Sequence, residues 1–277
     1  MIPEKKRIYI VVKTYPTISK EYSELVCTAG ILEDGSWIRL YPVPFRKLDF
    51  DRKYPKYTWI EVEVVRNTAD FRPETYRPDL STLSVEKKPP KVDWNERRRI
   101  IFKNKKIYTN LQELIDKAKS DGTSLAVFKP TKVLDFISEP VERDWDPNKL
   151  AILKGLSRQL NLYQTPEEIA EEFKVVPKVP YKFSYKFEDN SGKQSTIMIE
   201  DWEIGMLYFN CLNRENGDEK RAIHKVKEKY FDYFIKRDLH FFLGTTKRFH
   251  NVSPNPFIII GTFYPPMPPP TQQLSLF

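Results

Sequence analysis

Residues 31–43, ILEDGSWIRLYPV, place Asp34 and Gly35 between two runs rich in apolar residues. An Asp-Gly pair in this setting is a strong local signal for a β-hairpin, because the tight turn needs residues that tolerate a positive φ. The stretch therefore predicts two antiparallel strands in the N-terminal part of the chain.

The sequence on both sides of this hairpin is also typical of strands. Residues 7–15 (RIYIVVKTY) and 24–32 (ELVCTAGIL) are rich in β-branched and apolar side chains. Residues 57–65 (YTWIEVEVV) alternate aliphatic side chains with Trp59, Glu61 and Glu63, which predicts a strand with one face in water. Several short strands joined by turns predict a small barrel or a strongly twisted sheet.

The rest of the chain mixes helical and strand patterns. Residues 66–106 are rich in proline and charge, which predicts an extended and partly irregular excursion. Asn110 with Glu113 resembles a capping box and predicts a helix start. Further helices are predicted at 146–175, 201–212 and 218–236, and further strands at 124–128, 132–137, 181–187, 194–199, 239–250 and 255–264.

We therefore expect an α+β protein. Its predicted parts are a β-rich unit, barrel-like or a twisted sheet, at 1–140 with a basic excursion at 86–106, a helical bridge at 141–176, a second α+β unit ending in a hairpin at 177–264, and a proline-rich tail at 265–277.

The composition limits the class of protein. Hydrophobic residues make up 40% of the chain and aromatic residues 14%, which is typical of a globular protein. No apolar run approaches the roughly 18 residues of a membrane span, and we expect a cytoplasmic protein with no membrane partner. Cys27 and Cys211 lie far apart among apolar residues, which is typical of buried thiols, and no metal site is predicted.

The five residues 273–277, QLSLF, follow a proline-rich spacer. They closely resemble the bacterial sliding-clamp-binding motif, whose consensus is Gln-Leu-Ser/Asp-Leu-Phe. The resemblance implies that Leu276 and Phe277 fill an apolar pocket of the clamp and that Gln273 forms a hydrogen bond at its edge, with Leu274 and Ser275 between them. A stiff proline spacer favours such docking because it loses little entropy when its tip binds.

Positive charge is concentrated in one segment. The chain has a net charge of +8, and residues 86–106 contain nine basic and three acidic residues. Basic groups contact phosphates and aromatic rings stack on bases, so this segment is predicted to bind DNA, with a solvated loop as the alternative. The candidate residues are Lys87, Lys88, Lys91, Trp94, Arg97, Arg98 and Arg99.

Two further basic groups are candidates for the same role. Arg39 lies between Trp37 and Tyr41 on one face of a predicted strand, where it either contacts nucleic acid or packs against the second unit. Lys247 and Arg248 lie in the predicted final hairpin and could grip a phosphate backbone.

Asp238 and His240 form the candidate catalytic pair. They are two residues apart and therefore share one face of a strand. A nuclease could use them with Mg²⁺ or Mn²⁺, but one carboxylate and one imidazole are too few ligands, so we expect a structural role. In the acidic stretch IEDWE (199–203), Asp201 is expected to cap the following helix.

The sequence thus predicts a DNA-associated protein that residues 273–277 tether to the bacterial sliding clamp. A role in repair, replication control or genome defence, at the bacterial nucleoid, fits this expectation. Two alternatives remain open: a metal-dependent DNA nuclease recruited by the clamp, and a non-enzymatic clamp adaptor or inhibitor. Glycine-rich phosphate loops, G-x-S-x-G elbows and C-x-x-C pairs do not occur in the sequence.

Overall fold

The first strands of the chain close into a barrel. A computed structural model describes residues 2–19, 23–87, 91–148, 150 and 176–268. The strands are β1 (Glu4–Lys13), β2 (Thr17–Ser19), β3 (Ser23–Leu32), β4 (Trp37–Val43), β5 (Thr58–Arg66) and β6 (Thr75–Val85). The sheet order is β1–β5–β6–β4–β3, and β3 pairs back with β1 to close the barrel, while β2 adds to β3. With β4 and β6 parallel and the other pairs antiparallel, this is a Greek-key barrel of the OB type.

The predicted hairpin joins β3 to β4. The turn is closed by hydrogen bonds from Gly35 N to Leu32 O and from Leu32 N to Ser36 O, both 2.9 Å. Gly35 has a φ of 93°, and a Cβ at this position would lie 2.3 Å from the carbonyl oxygen of Lys103. Glycine is therefore required both for the turn and for the close approach of a distant segment.

The region 66–106 is more regular than the sequence predicts. Residues 75–85 form β6, which completes the barrel, and Trp94–Ile101 forms an α-helix, α1, inside the predicted excursion. The carboxylate of Asp93 caps this helix, because it accepts hydrogen bonds from the backbone N of Asn95 at 2.9 Å and of Glu96 at 3.0 Å. The extended strand β6 agrees with the predicted extended and partly irregular excursion, whereas α1 departs from it, because the local helix start at Asp93 prevails over the prolines and charges around it.

The second part of the chain is α+β, as predicted. It contains β7 (Ile107–Tyr108), α2 (Leu111–Asp121), β8 (Leu125–Phe128), β9 (Lys132–Pro140), β10 (Tyr181–Glu188), β11 (Gln194–Met198), α3 (Trp202–Arg214), α4 (Glu219–Lys227), β12 (His240–Thr245) and β13 (Phe257–Phe263). One sheet has the order β13–β12–β8–β7 and a second has the order β11–β10–β9.

The strand pairing crosses the predicted boundary at residue 140. The strands β8 and β9 precede this boundary but pair with β12 and β10, which follow it. The domain limits themselves remain a prediction, since pairing alone does not fix them. Most of the predicted bridge, residues 151–175, and the end of the predicted tail, residues 269–277, lie outside the described residues.

Helix ends follow local signals. Asn110 accepts a hydrogen bond from the Glu113 N at 3.0 Å and caps α2, and Gly122 ends the helix with a φ of 77°. Asp201 caps α3 as expected, with Glu203 N at 3.2 Å. The predicted helix over 218–236 begins as α4 and continues as a π-helical turn over Glu228–Tyr233 and a 3₁₀ turn over Phe234–Lys236.

The barrel packs directly on the four-stranded sheet. Tyr9, Val11 and Ile31 from the barrel share a buried core with Val127 and Phe242 from the sheet. In OB-type barrels the face formed by the second and third barrel strands and its adjoining loops commonly binds oligonucleotides. Here those strands are β3 and β4, and much of their outer face is packed against protein. Among the described residues, no helix is both long and apolar enough to cross a membrane.

Candidate nucleic-acid interface

The helix α1 points its three consecutive arginines in three directions. Successive residues of an α-helix are rotated by about 100°, so Arg97, Arg98 and Arg99 cannot share one face. The guanidinium of Arg97 lies 4.0 Å from the ring centroid of Tyr57 and 5.1 Å from that of Trp94. The side chain of Arg99 is 73% exposed.

Arg98 has a structural role instead of the predicted DNA contact. Its Nη1 lies 2.7 Å from Asp238 Oδ2, and its Nη2 donates a hydrogen bond of 2.7 Å to the carbonyl oxygen of Pro266. Trp94 is half-buried and packs at 5.7 Å against the ring of Tyr264. The helix is thereby fixed to the segment that follows β13, and of the triplet only Arg97 and Arg99 are available to a ligand.

Arg97 continues into a row of aromatic and cationic side chains on β1, on β5 and just before β5, in which Tyr9 is buried and the other members are partly exposed. Arg7 lies 4.5 Å from the ring of Trp59, Trp59 lies 5.1 Å from Tyr9, and Tyr9 lies 6.4 Å from Tyr57. We call this row the arginine–aromatic strip, and its members are Arg7, Tyr9, Tyr57, Trp59, Trp94 and Arg97. The two arginines provide charge for phosphates, and the partly exposed rings of Tyr57, Trp59 and Trp94 provide flat surfaces for bases, whereas Tyr9 supports the row from the core.

The strip differs in charge from one end to the other. Arg7 is ion-paired with Glu86 at 2.6 Å and with Glu33 at 2.8 Å, and these carboxylates raise the pKa of its guanidinium. Arg97 forms no ion pair with any residue in the described part of the chain. Burial raises the pKa of Tyr9 to about 12, although the charge of Arg97 lowers it. Uncompensated charge therefore lies at the α1 end.

Other predicted contacts of the basic segment are exposed. Lys87 and Lys91 lie on the surface, and Lys88 lies outside the described residues. Beyond α1, Lys103 donates a hydrogen bond of 2.6 Å to the carbonyl oxygen of Glu33 in the β3–β4 turn. The basic surface around α1 thus includes Lys87, Lys91, Arg97, Arg99 and Lys103.

Arg39 does not belong to this interface. Its side chain is 1% exposed, and it donates hydrogen bonds to Ser124 Oγ at 2.7 Å, to Ser124 O at 3.1 Å and to Thr75 Oγ1 at 3.3 Å. The ring of the neighbouring Trp37 packs edge-on against Phe242 at 5.9 Å. The prediction of nucleic-acid contact is wrong, because the second unit covers this face of β4, which is the alternative that the sequence left open.

Lys247 and Arg248 are exposed, on the loop between β12 and β13. The Nζ of Lys247 donates to the carbonyl oxygen of Ala69 at 2.5 Å, and the Arg248 guanidinium lies 5.1 Å from the ring of Phe249. Both side chains can reach a ligand, so their role as phosphate contacts stays a prediction. The loop is anchored by the buried His250, whose Nε2 pairs with the Ala118 carbonyl oxygen at 2.9 Å.

Asp238 and His240 are both buried, and their surroundings favour the structural role that the sequence predicts. One carboxylate oxygen of Asp238 faces Arg98 at 2.7 Å and the other faces Lys129 at 2.8 Å. Burial alone would raise the pKa of Asp238, but hydrogen bonds and charges from its cationic neighbours lower it below its usual value. His240 is 2% exposed and its Nδ1 bonds the backbone oxygen of Asp238 at 2.9 Å.

No metal centre accompanies this pair in the described residues, where no group of three or more His, Cys, Asp and Glu side chains converges. The acidic stretch at α3 is paired with a lysine instead. Lys56 Nζ lies 3.3 Å from Asp201 Oδ2 and 3.1 Å from Glu203 Oε2. Burial raises the pKa of Asp201 above its ordinary value, and the charge of Lys56 opposes this rise.

The sequence patterns did not point to four members of the strip: Arg7, Tyr9, Tyr57 and Trp59. A signal for Trp59 was present, because a large aromatic residue occupies the wet face of an alternating strand beside Glu61. Arg7, Tyr9 and Tyr57 gave no such signal, since only the barrel pairing of β1 with β5 brings their segments together.

Two family models match the chain. Residues 4–103 match a domain of unknown function, DUF8758, and residues 107–277 match another, DUF8757. The division between the two matches falls just after α1, the helix that follows the last barrel strand β6. No curated protein matches the chain. By the longer of the two matches, the chain belongs to the DUF8757 family.

Proposed function

We propose that this protein binds DNA through the basic surface around α1 and the arginine–aromatic strip, and that residues 273–277 tether it to the bacterial sliding clamp. The observation that supports the two parts together is the contact between α1 and the segment after β13. Arg98 holds the Pro266 carbonyl oxygen at 2.7 Å, and Trp94 packs on Tyr264. The chain therefore leaves the folded body beside the surface proposed for DNA.

The short distance between motif and body makes the tether effective. Five residues of chain, from Pro268 to Gln273, span at most about 18 Å. A clamp that held the motif would keep the DNA it encircles close to α1. Tethering over such a distance raises the effective concentration to about the millimolar range. A weak and unspecific DNA contact is then sufficient for a role in repair, replication control or genome defence at the nucleoid.

The tether is tested by removing its tip. Deletion of Leu276 and Phe277 should abolish binding to the sliding clamp, because burial of a Leu and a Phe is worth roughly 3–6 kcal/mol before entropy. The melting temperature should not change. The control is Ser275→Asp, which keeps the motif within its consensus and should bind the clamp like the unchanged chain. Equal clamp binding by the truncated and the full chain would show that the motif is not the tether.

The nuclease and adaptor hypotheses predict different results when the same protein is assayed for clamp binding, DNA binding and DNA cleavage. A clamp-recruited nuclease should cleave single-stranded or branched DNA only with Mg²⁺ or Mn²⁺. A clamp adaptor or inhibitor should bind the clamp and show no DNA affinity at 50 mM salt. Clamp binding together with DNA binding and without cleavage supports the proposed function over both.

A further inference from the structure

We propose that a pocket between α1, β5 and the β3–β4 turn binds one unpaired nucleotide, so that the protein prefers single-stranded to duplex DNA. This inference rests on the proposed function and names the form of DNA that the same surface selects. The pocket has a volume of about 200 Å³. Leu32, Trp59 and Ile100 form its apolar walls, and the remaining lining residues are charged.

Positive charge at the pocket comes from Arg99 and Lys103. Arg99 is 73% exposed, and the carboxylate nearest to it on the same helix, Glu96, lies 3.8 Å away. Such an exposed pair is weak and does not prevent Arg99 from contacting a phosphate. Lys103 bonds a carbonyl oxygen of Glu33, which leaves its charge uncompensated. Arg7, by contrast, is paired with two carboxylates and adds little net charge.

Trp59 supplies the stacking surface. The Arg7 guanidinium, which also lines the pocket, lies 4.5 Å from its ring centroid, and the ring of Tyr9 lies 5.1 Å away with a tilt of 53°, so two neighbours fix its orientation. Every nucleobase has a π-face, so stacking on such a ring does not depend on sequence. A base against Trp59 would place its backbone phosphate at the rim formed by Arg99 and Lys103.

The pocket is held open by the turn that the sequence predicts. Lys103 approaches Gly35 so closely that any side chain there would collide with its carbonyl oxygen at 2.3 Å. Asn104 Nδ2 donates to the Asp34 carbonyl oxygen at 3.0 Å, and Lys105 bonds the Gly35 carbonyl oxygen. The end of α1 is therefore fastened to the hairpin, and a ligand would meet preformed walls.

The size of the pocket selects unpaired bases. Its volume of about 200 Å³ is below the roughly 300 Å³ at which pockets for drug-sized ligands begin, so it admits about one base. A base in a duplex is stacked on both faces and must leave the helix before it can enter, at a cost in free energy. A single strand offers its bases without that cost.

The experiment measures binding of the full chain to a fluorescent single-stranded oligonucleotide and to a duplex of the same length. The unchanged protein should bind the single strand at least about tenfold more tightly. Trp59→Leu should weaken single-strand binding by roughly tenfold and leave duplex binding nearly unchanged, whereas Trp59→Phe should retain most of the preference. Circular dichroism establishes that both variants are folded.

A second pair of variants changes exposed helical residues and leaves the barrel strands intact. Arg99→Gln should weaken single-strand binding and lower the salt slope of log K by about 0.7, the value for one phosphate contact. The matched control is Arg221→Gln, because Arg221 is also 73% exposed and also faces an acid three residues away, Asp218 at 3.5 Å. This control lies on α4 and should leave binding unchanged.

The outcomes separate this inference from the proposed function. Equal affinity for single strand and duplex, or equal effects of Arg99→Gln and Arg221→Gln, would overturn the pocket while the proposed function stands. No measurable binding to either DNA at 50 mM salt would overturn the proposed function, and the pocket with it.

Discussion

Arg39 and Arg97 have similar neighbours in sequence and opposite surroundings in the fold. Each lies within three residues of a tryptophan, Trp37 or Trp94, and each was predicted to contact nucleic acid. Arg39 is 1% exposed and bonds to Ser124, whereas Arg97 lies half-exposed against the ring of Tyr57. The difference shows that an arginine beside an aromatic residue is a binding signal only where no other element covers it.

The covering element is the four-stranded sheet. Ser124 precedes β8, and its hydroxyl accepts from Arg39 at 2.7 Å while donating to Glu74 Oε2 at 2.8 Å. The guanidinium is thus part of a buried polar network between the barrel and the second unit. Side chains in such networks contribute to stability through partners that would be left unsatisfied without them.

The largest expected effect is that of Arg39→Ala. Removal of the buried guanidinium leaves a cavity and takes away its hydrogen bonds to Ser124 and Thr75, although Thr245 N still donates to the Ser124 carbonyl oxygen at 3.0 Å. The change should lower the free energy of unfolding by about 2–5 kcal/mol. Urea denaturation of this variant, with Arg99→Ala as the exposed control, measures the difference. Equal stability of the two variants would remove the contrast between buried and exposed arginines.

An intermediate effect on stability is expected for Asp238→Asn, because this change weakens an ion pair that is only partly buried. The side chain of Asp238 is 5% exposed and that of its partner Arg98 is 25% exposed. The change leaves Arg98 and Lys129 without their carboxylate and should cost about 1–2 kcal/mol of unfolding free energy. DNA binding should be nearly unaffected. Loss of a Mg²⁺- or Mn²⁺-dependent cleavage with unchanged stability would instead identify Asp238 as catalytic.

The buried His240 beside Asp238 should also make the stability of the protein depend on pH. Burial lowers the pKa of His240 below its ordinary value of 6.5, although the charge of Asp238 raises it. As the pH falls, His240 therefore takes up a proton at a higher pH in the unfolded chain than in the folded one. The stability that neutral His240 contributes is complete above pH 6.5 and declines as the pH falls below it. The decline is at most about 1.4 kcal/mol per pH unit.

Thermal melts at pH 7 and pH 5 test this sign. The unchanged protein should lose more stability over this interval than His240→Gln, which cannot take up the proton. A larger loss in the variant would mean that His240 is not the titrating group.

The smallest effect on stability is expected for two arginines of α1, Arg97 and Arg99. Arg97→Ala and Arg99→Ala together should change the unfolding free energy by less than about 1 kcal/mol. They should lower the slope of log K for DNA against log salt by about 1.4–1.8, because each removes one phosphate contact. Arg98→Ala should do the reverse, with a stability loss and little change in slope.

The sequence predicted local features well because their causes are local. The Asp34-Gly35 turn, the Asn110 and Asp201 caps and the alternation in β5 each depend on residues within a few positions of one another. The α+β class follows from the same signals and is confirmed. The helix start at Asp93 was local too and was missed because neighbouring prolines and charges favoured an extended segment.

The candidate site depended on contacts that are distant in sequence. Trp59 and Arg97 belong to one strip only because β5 lies beside α1 in the fold, and Arg98 is excluded from it only because Asp238 follows some 140 residues later in the chain. The sequence by itself determined which residues are cationic or aromatic, where the turns and caps fall, and the motif at 273–277. The tertiary structure decided which of those cations face water, since exposure depends on what packs against a surface and the packing partners come from elsewhere in the chain.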